Sequence, residues 1–289
     1  MRGMCKSQSA MEYLMTYGWT ILAIAIVMVS LYSLGIFNLQ SLAPTATPGS
    51  CQVIRTAAQT SLAGQCNNMI PKYTGKFNGQ NSYVGVNGMT FGTGAPFTVL
   101  VWANVMNNAT YRGIVSKTAG NLPAPFDVYV ISQTNQISYL VGNGNSNQGI
   151  STASGTVVFN TWQQWAFVYT GIAMSVYRNG VLISGPTTVS VLVADTGQPL
   201  KIGNRNDGVT KMYGSIANVQ IYNTSLDNTT IKRLYQEGIG GAPVDLQHLV
   251  GWWPLNGDAN DYSGSFRNGM PANVTWNANW QSGYAAPTT

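Results

Sequence analysis

Residues 13–54 contain no Asp, Glu, Lys or Arg. Within that stretch, residues 14–37 are mostly apolar, and the chain has no second apolar run of comparable length. As an α-helix this run would extend about 36 Å, enough to cross the hydrocarbon core of a bilayer. The chain therefore divides into an apolar rod at one end and everything that follows it. Arg2 and Lys6 form a short positive head before the rod. Such cations are expected to stay cytoplasmic, which sends the remainder outside. A cleaved secretory signal fits less well, because the run is too long and Glu12 stands at its mouth.

The segment Lys6-Ser7-Gln8-Ser9-Ala10-Met11-Glu12-Tyr13 resembles the processing site of archaeal type IV pilin-like precursors, which carry class III signal peptides. The resemblance implies a leader of residues 1–7, a cut by a prepilin-type peptidase between Ser7 and Gln8, and a hydrophobic helix, residues 8–40, retained in the mature chain. Glu12 then becomes the fifth mature residue. Other pilin-like subunits are the implied partners, once the helix has left the membrane for a filament core. A carboxylate buried there needs a partner. The freed α-amine of a neighbour's Gln8 can serve, so Gln8 and Glu12 are the expected assembly residues. The alternative is a plain signal anchor with Glu12 at the membrane interface.

Residues 43–50 hold two prolines and small polar residues, which stop the helix and read as a spacer. With Cys5 in the leader, Cys51 and Cys66 remain within a linker and loop of residues 41–71. An even cysteine count outside the cell points to a disulfide, with two free thiols as the alternative. Two cysteines without a nearby His cannot complete a zinc shell.

Beyond residue 72 composition becomes informative. Charged residues make up 8% of the chain, against about 25% in ordinary soluble domains, while hydrophobic residues make up 45%. A disordered chain would show the reverse balance. The net charge of +5 comes from scattered cations, of which only Lys232 and Arg233 are adjacent, so nucleic acid is not an expected partner. Short β-type runs, such as 97–105, 165–169 and 216–222, alternate with Gly, Asn and Pro. Asn179-Gly180 is a hairpin turn signal. One short helix is expected after a cap at Asp227, lined by Ile231, Leu234 and Tyr235 and ended by Gly238. The predicted class is mainly β: an N-terminal hydrophobic helix followed by a two-sheet antiparallel β-sandwich.

Several motifs of this region resemble laminin-G-like, or concanavalin A-like, jelly rolls. They are Phe77-Asn78-Gly79 with Tyr83-Val84, the strand ending in Trp102, the Trp165–Gly180 hairpin, and Gly214-Ser215-Ile216-Ala217-Asn218-Val219 with its following helix. The resemblance covers residues 72–240. Leu249-Val250-Gly251-Trp252-Trp253-Pro254, which resembles the opening segment of such a domain, here comes last. Either residues 243–280 complete their own sandwich as a circular permutation, giving a domain of residues 72–289, or they complete a neighbour by strand donation.

Glycan hydrolysis needs two facing carboxylates, and the nine acids form no such cluster along the sequence. The single His, His248, leaves a nucleophile triad without an evident base. The expectation is therefore a non-enzyme, with glycoside hydrolysis as a remote third reading. Asp258, Asn260 and Asp261 are oxygen ligands in a tight loop of the kind Ca2+ accepts. The relatives' closing-strand acid is replaced by Ala217-Asn218, and an Asx-turn is the alternative. Trp253, Tyr262, Trp276 and Trp280 are candidates for a sugar-stacking platform, set against ordinary core packing. Asn108, Asn223, Asn228 and Asn273 begin glycosylation sequons. The scarcity of acids also fits an acidic medium. Together these features predict a cell-surface, pilin-like filament subunit displaying an adhesive domain for glycans or proteins. The rival is a membrane-anchored lectin that does not polymerise.

Overall fold

A computed structural model describes residues 8–33, 45–67, 69–107 and 111–287; in the first helix the side chains are described at residues 15 and 17–33. The chain forms two compact units that divide after Pro44. The first contains α1 (Gln8–Ser33). Trp19, Ile21, Ile24, Val27 and Val29 are all exposed, so the helix is apolar on every side rather than along one stripe. Ser30 Oγ donates to the carbonyl of Ile26 (2.7 Å) and Ser33 Oγ to that of Ser30 (2.8 Å). Both hydroxyls are thus satisfied by their own helix. Residues 17–33 measure about 26 Å along the axis, and among the described residues no helix is long and apolar enough to cross a membrane. The expected continuation to residue 40 lies outside the described residues, as do Ser7, Asn108 and the side chains of Gln8 and Glu12.

The second unit is an antiparallel sandwich. Among the described residues, one sheet has seven strands in the spatial order β11 (Asn147–Ser151), β10 (Gln136–Gly142), β9 (Leu122–Ile131), β8 (Arg112–Ala119), β15 (Leu200–Ile202), β6 (Tyr83–Val86) and β18 (Met270–Ala272). The other has eight: β14 (Val181–Thr188), β13 (Ala173–Arg178), β12 (Trp162–Tyr169), β7 (Phe97–Val105), β16 (Tyr213–Tyr222), β5 (Thr74–Asn78) and β19 (Thr275–Asn277), with β17 (Leu249–Trp253) paired to β16. Between them lies a core that includes Phe77, Trp165, Phe167, Phe126, Val128 and Trp253.

The two sheets differ on their outer faces, and the sequence of each strand shows why. Every residue of β12 is buried. Trp165, Phe167 and Tyr169 face the inter-sheet core, while Ala166 and Val168 join a second cluster and Trp162 a third on the opposite side. Such a strand needs cover on both faces. Part of that cover is α2 (Asn228–Gln236), whose cap Asp227 accepts from Thr230 N and which buries Ile231 and Leu234. Tyr235 stacks on Trp102 with ring centroids 5.8 Å apart. In contrast, β9 alternates Phe126, Val128 and Val130 in the core with Asp127 and Tyr129 on the outer side. Its sheet therefore presents a polar outer face.

Residues 243–280 lie in the chain's own sheets: β17 pairs with β16, β18 with β6 and β19 with β5. That is the arrangement a permuted sandwich requires. Residues 45–71, read from the sequence as spacer and disulfide loop, lie in the compact unit that starts at Thr45. There β1 (Thr45–Ala46) pairs with β4 (Ile70–Pro71), and β2 (Cys51–Arg55) with β3 (Thr60–Gly64). Val53 is buried and its N–H donates to the Tyr262 carbonyl (2.8 Å), and Arg55 Nε donates to the Ser263 carbonyl (3.0 Å). Cys51 and Cys66 are joined by a disulfide, with Cα atoms 4.9 Å apart.

Candidate functional site

The outer face of the seven-stranded sheet is assembled by strand register. Gly85 on β6 stands opposite Lys201 on β15, Lys201 opposite Ser116 on β8, Ser116 opposite Asp127 on β9, and Asp127 opposite Leu140 on β10. Their chain neighbours Val84, Ile202, Val115, Phe126 and Val128 point into the core, so alternation turns this row outward. Tyr83 and Tyr129 lie two residues from Gly85 and Asp127 and share the face. The Tyr83 ring lies against Gly85, 3.5 Å from where a Cβ would stand. Lys201 Nζ sits 4.9 Å from the centre of that ring.

A loop of residues 204–211, closed by an antiparallel bridge between Asn204 and Lys211, lies across the middle of the face. It approaches Gly113 so closely that a Cβ there would be 2.8 Å from the Thr210 carbonyl. The loop places the Arg205 guanidinium 5.4 Å from the centre of Tyr129, which also meets Tyr111 edge-on at 5.7 Å. Arg205 Nη1 pairs with Asp127 Oδ2 at 2.9 Å, and Nε with Asp207 Oδ2 at 2.7 Å. Ser116 Oγ donates to Asp127 Oδ1 at 2.6 Å. Two tyrosine–cation pairs, Tyr83–Lys201 and Tyr129–Arg205, thus occupy one sheet face. Each offers an aromatic surface beside a positive charge.

The two acids on Arg205 are in opposite electrostatic positions. Burial pushes the Asp127 carboxyl up, although Arg205 and Ser116 pull it back. Burial also acts to raise Asp207, but hydrogen bonds from Arg205, Thr210 and Val209 outweigh it and bring the carboxyl down to about 2. Hydrolysis of a glycan would need these acids to face each other across room for a sugar. Here an arginine fills the gap and Asp127 is only 1% exposed. The arrangement is an ion-pair network that holds the loop to the sheet.

The residues singled out from the sequence do not converge on a platform. Trp252 and Trp253 do point to opposite faces of their strand, but both faces are covered. Trp253 enters the inter-sheet core and donates from Nε1 to the Arg267 carbonyl (3.0 Å). Trp280 is buried at 2% exposure and donates to the Pro71 carbonyl (2.9 Å). Trp276 packs half-buried against the core. Tyr262 lines a cavity of about 40 Å³ together with Trp252, Asn218, Asn256, Pro48 and the disulfide. Such a space has room for about three waters, which is less than a sugar ring requires. Trp252 Nε1 donates to Asn218 Oδ1 (2.8 Å), and Asn218 Nδ2 donates to the Gly241 carbonyl (2.8 Å), so the polar wall of this cavity is already satisfied.

Asp258, Asn260 and Asp261 share one loop, and the carboxylates there already accept hydrogen bonds from the protein. Asp261 accepts from the backbone N–H of Trp252 (3.0 Å), Ser263 (2.9 Å) and Arg267 (2.9 Å). Asp258 accepts from Asn260 N (3.2 Å) and from the Tyr262 hydroxyl (2.7 Å). The carboxylates organise their own loop, and among the described residues no group of three or more His, Cys, Asp or Glu could hold a metal. Asn223, Asn228 and Asn273 are exposed. The signal that would have located the tyrosine face lay in the alternation of Phe126-Asp127-Val128-Tyr129-Val130 and Leu200-Lys201-Ile202.

A family model described as the concanavalin A-like lectin/glucanases superfamily matches residues 78–232. The chain is 24% identical over 165 residues to the adhesion G-protein coupled receptor V1 of Danio rerio, a match covering 55% of this chain and 3% of the receptor. In shape it is similar to a candidate carbohydrate binding protein from Bacteroides ovatus, with a TM-score of 0.54, 17% identity, and coverage of 78% of this chain and 65% of that one. The chain therefore spans less than two thirds of the length of either.

Proposed function

This chain belongs to the concanavalin A-like lectin/glucanases superfamily, and on that premise we propose that its sandwich is an adhesive head that binds glycans on the outer face of the seven-stranded sheet. The observation that carries this reading is the pair of tyrosines, each with a cation over its ring, on the polar outer face of that sheet. Tyrosine faces suit the C–H side of sugar rings, and the surrounding hydroxyls and charges suit the O–H side. A candidate carbohydrate binding protein of similar fold and a short, distant match to an adhesion receptor are consistent with it. Screening the full chain against a glycan array tests it. Tyr129→Ala and Tyr83→Ala should each weaken a positive glycan at least tenfold while leaving the melting temperature within a few degrees. An array without hits would remove the reading.

The rod α1 presents the head at the cell surface. The finer proposal is a filament subunit cut between Ser7 and Gln8, with Glu12 pairing to a neighbour's α-amine. It is supported by a helix apolar on every side whose serines bond to their own backbone. Such a surface needs either lipid or other helices around it. The non-polymerising membrane-anchored lectin shares the head and differs only in what surrounds the rod.

A further inference from the structure

The two tyrosine–cation stations differ in charge balance. Arg205 is held by two carboxylates, Asp127 and Asp207. Lys201 is not: among the described residues no carboxylate lies within ion-pair distance of it. Asp207 acts on it only through space, while burial pulls its pKa down. Its position is set by the sheet, between Gly85 and Ser116, two residues too small to cover it. The ammonium is thus half-buried against the Tyr83 ring and without a counter-charge of its own. A cation held in this way gains most from a ligand that brings a negative charge.

We infer that the Tyr83–Lys201 station takes an anionic sugar, with its carboxylate or sulfate on Lys201 and its ring beside rather than on the Tyr83 ring, while the neutralised Tyr129–Arg205 station takes an uncharged one. This rests on the glycan reading above and goes beyond it in naming the ligand's charge and the residue that selects it. A free ammonium beside a ring discriminates; an arginine saturated by two aspartates does not.

The test titrates the full-length protein in detergent with three probes of equal length: hexagalacturonate, a sulfated carrageenan hexasaccharide, and neutral maltohexaose. The expected result is that one or both anionic probes bind at least tenfold more tightly than the neutral one, with affinity falling as salt is raised. If only hexagalacturonate or only the carrageenan does so, that identifies the carboxylate or the sulfate as the recognised group. Lys201→Met should abolish the preference at unchanged melting temperature, and Lys201→Arg should keep most of it. Equal binding of neutral and anionic probes would overturn the inference and leave the glycan reading standing. A preference that survives Lys201→Met would also overturn it. Binding of no probe here, with no hit on the array, would overturn both.

Discussion

At the scale of single residues, Asp207 shows how one side chain fixes a loop. Its carboxylate receives Arg205, the hydroxyl of Thr210 and the N–H groups of Val209 and Thr210. Because the folded pKa of about 2 lies below the ordinary value, ionised Asp207 contributes stability that is complete above pH ~4 and lost as pH falls through ~2. Asp127 works in the opposite direction. Its raised pKa makes protonation easier in the folded state, so acidification gains back stability there. Asp207→Asn should lower unfolding stability at pH 7 by about 1–2 kcal/mol. The gap between variant and parent should close by pH ~2 in urea titrations. A gap that is constant from pH 7 to pH 2 would contradict the ion-pair account.

At the scale of elements, the β2–β3 hairpin is held twice, by the disulfide and by the docking of Val53 and Arg55. Cys51→Ser should cost about 2–4 kcal/mol, most of it through the freer unfolded chain. Glycan binding should be unchanged, because the hairpin packs on the eight-stranded sheet and the proposed site lies on the other. A midpoint in urea identical to the parent's would show that docking alone holds the hairpin. The helix cap at Asp227 and the burial of Ile231 and Leu234 were readable in advance, since capping and helical spacing act within one or two turns. The fates of Trp253 and Trp280 were not. Strand alternation says that Trp252 and Trp253 point apart, but not that a hairpin, a helix and the C-terminal residues cover the outer side as well.

At the scale of the whole molecule, an apolar rod and a polar β head make opposite demands on their surroundings. The head carries its charges and amides on a surface built for water. The rod exposes residues such as Trp19, Ile24 and Val29. If rods assemble, sheared cell-surface material should contain filaments of this chain whose N-terminus, by mass spectrometry, is Gln8. Glu12→Gln should reduce filament yield without changing membrane insertion. A native N-terminus near residue 50, or a full-length chain that stays in the membrane fraction only, would exclude the filament reading.

From the sequence alone came the β-rich head, the hairpin turn at Asn179-Gly180, the capped helix and the pairing of Cys51 with Cys66. Each depends on hydropathy, spacing or turn chemistry over a short stretch of chain. Only tertiary structure decided that Asp127 and Asp207 meet on Arg205, that Lys201 lies on Tyr83, and that residues 249–277 close both sheets. These contacts are set by the register of strands far apart in sequence, and one residue of slip would turn every such side chain to the opposite face.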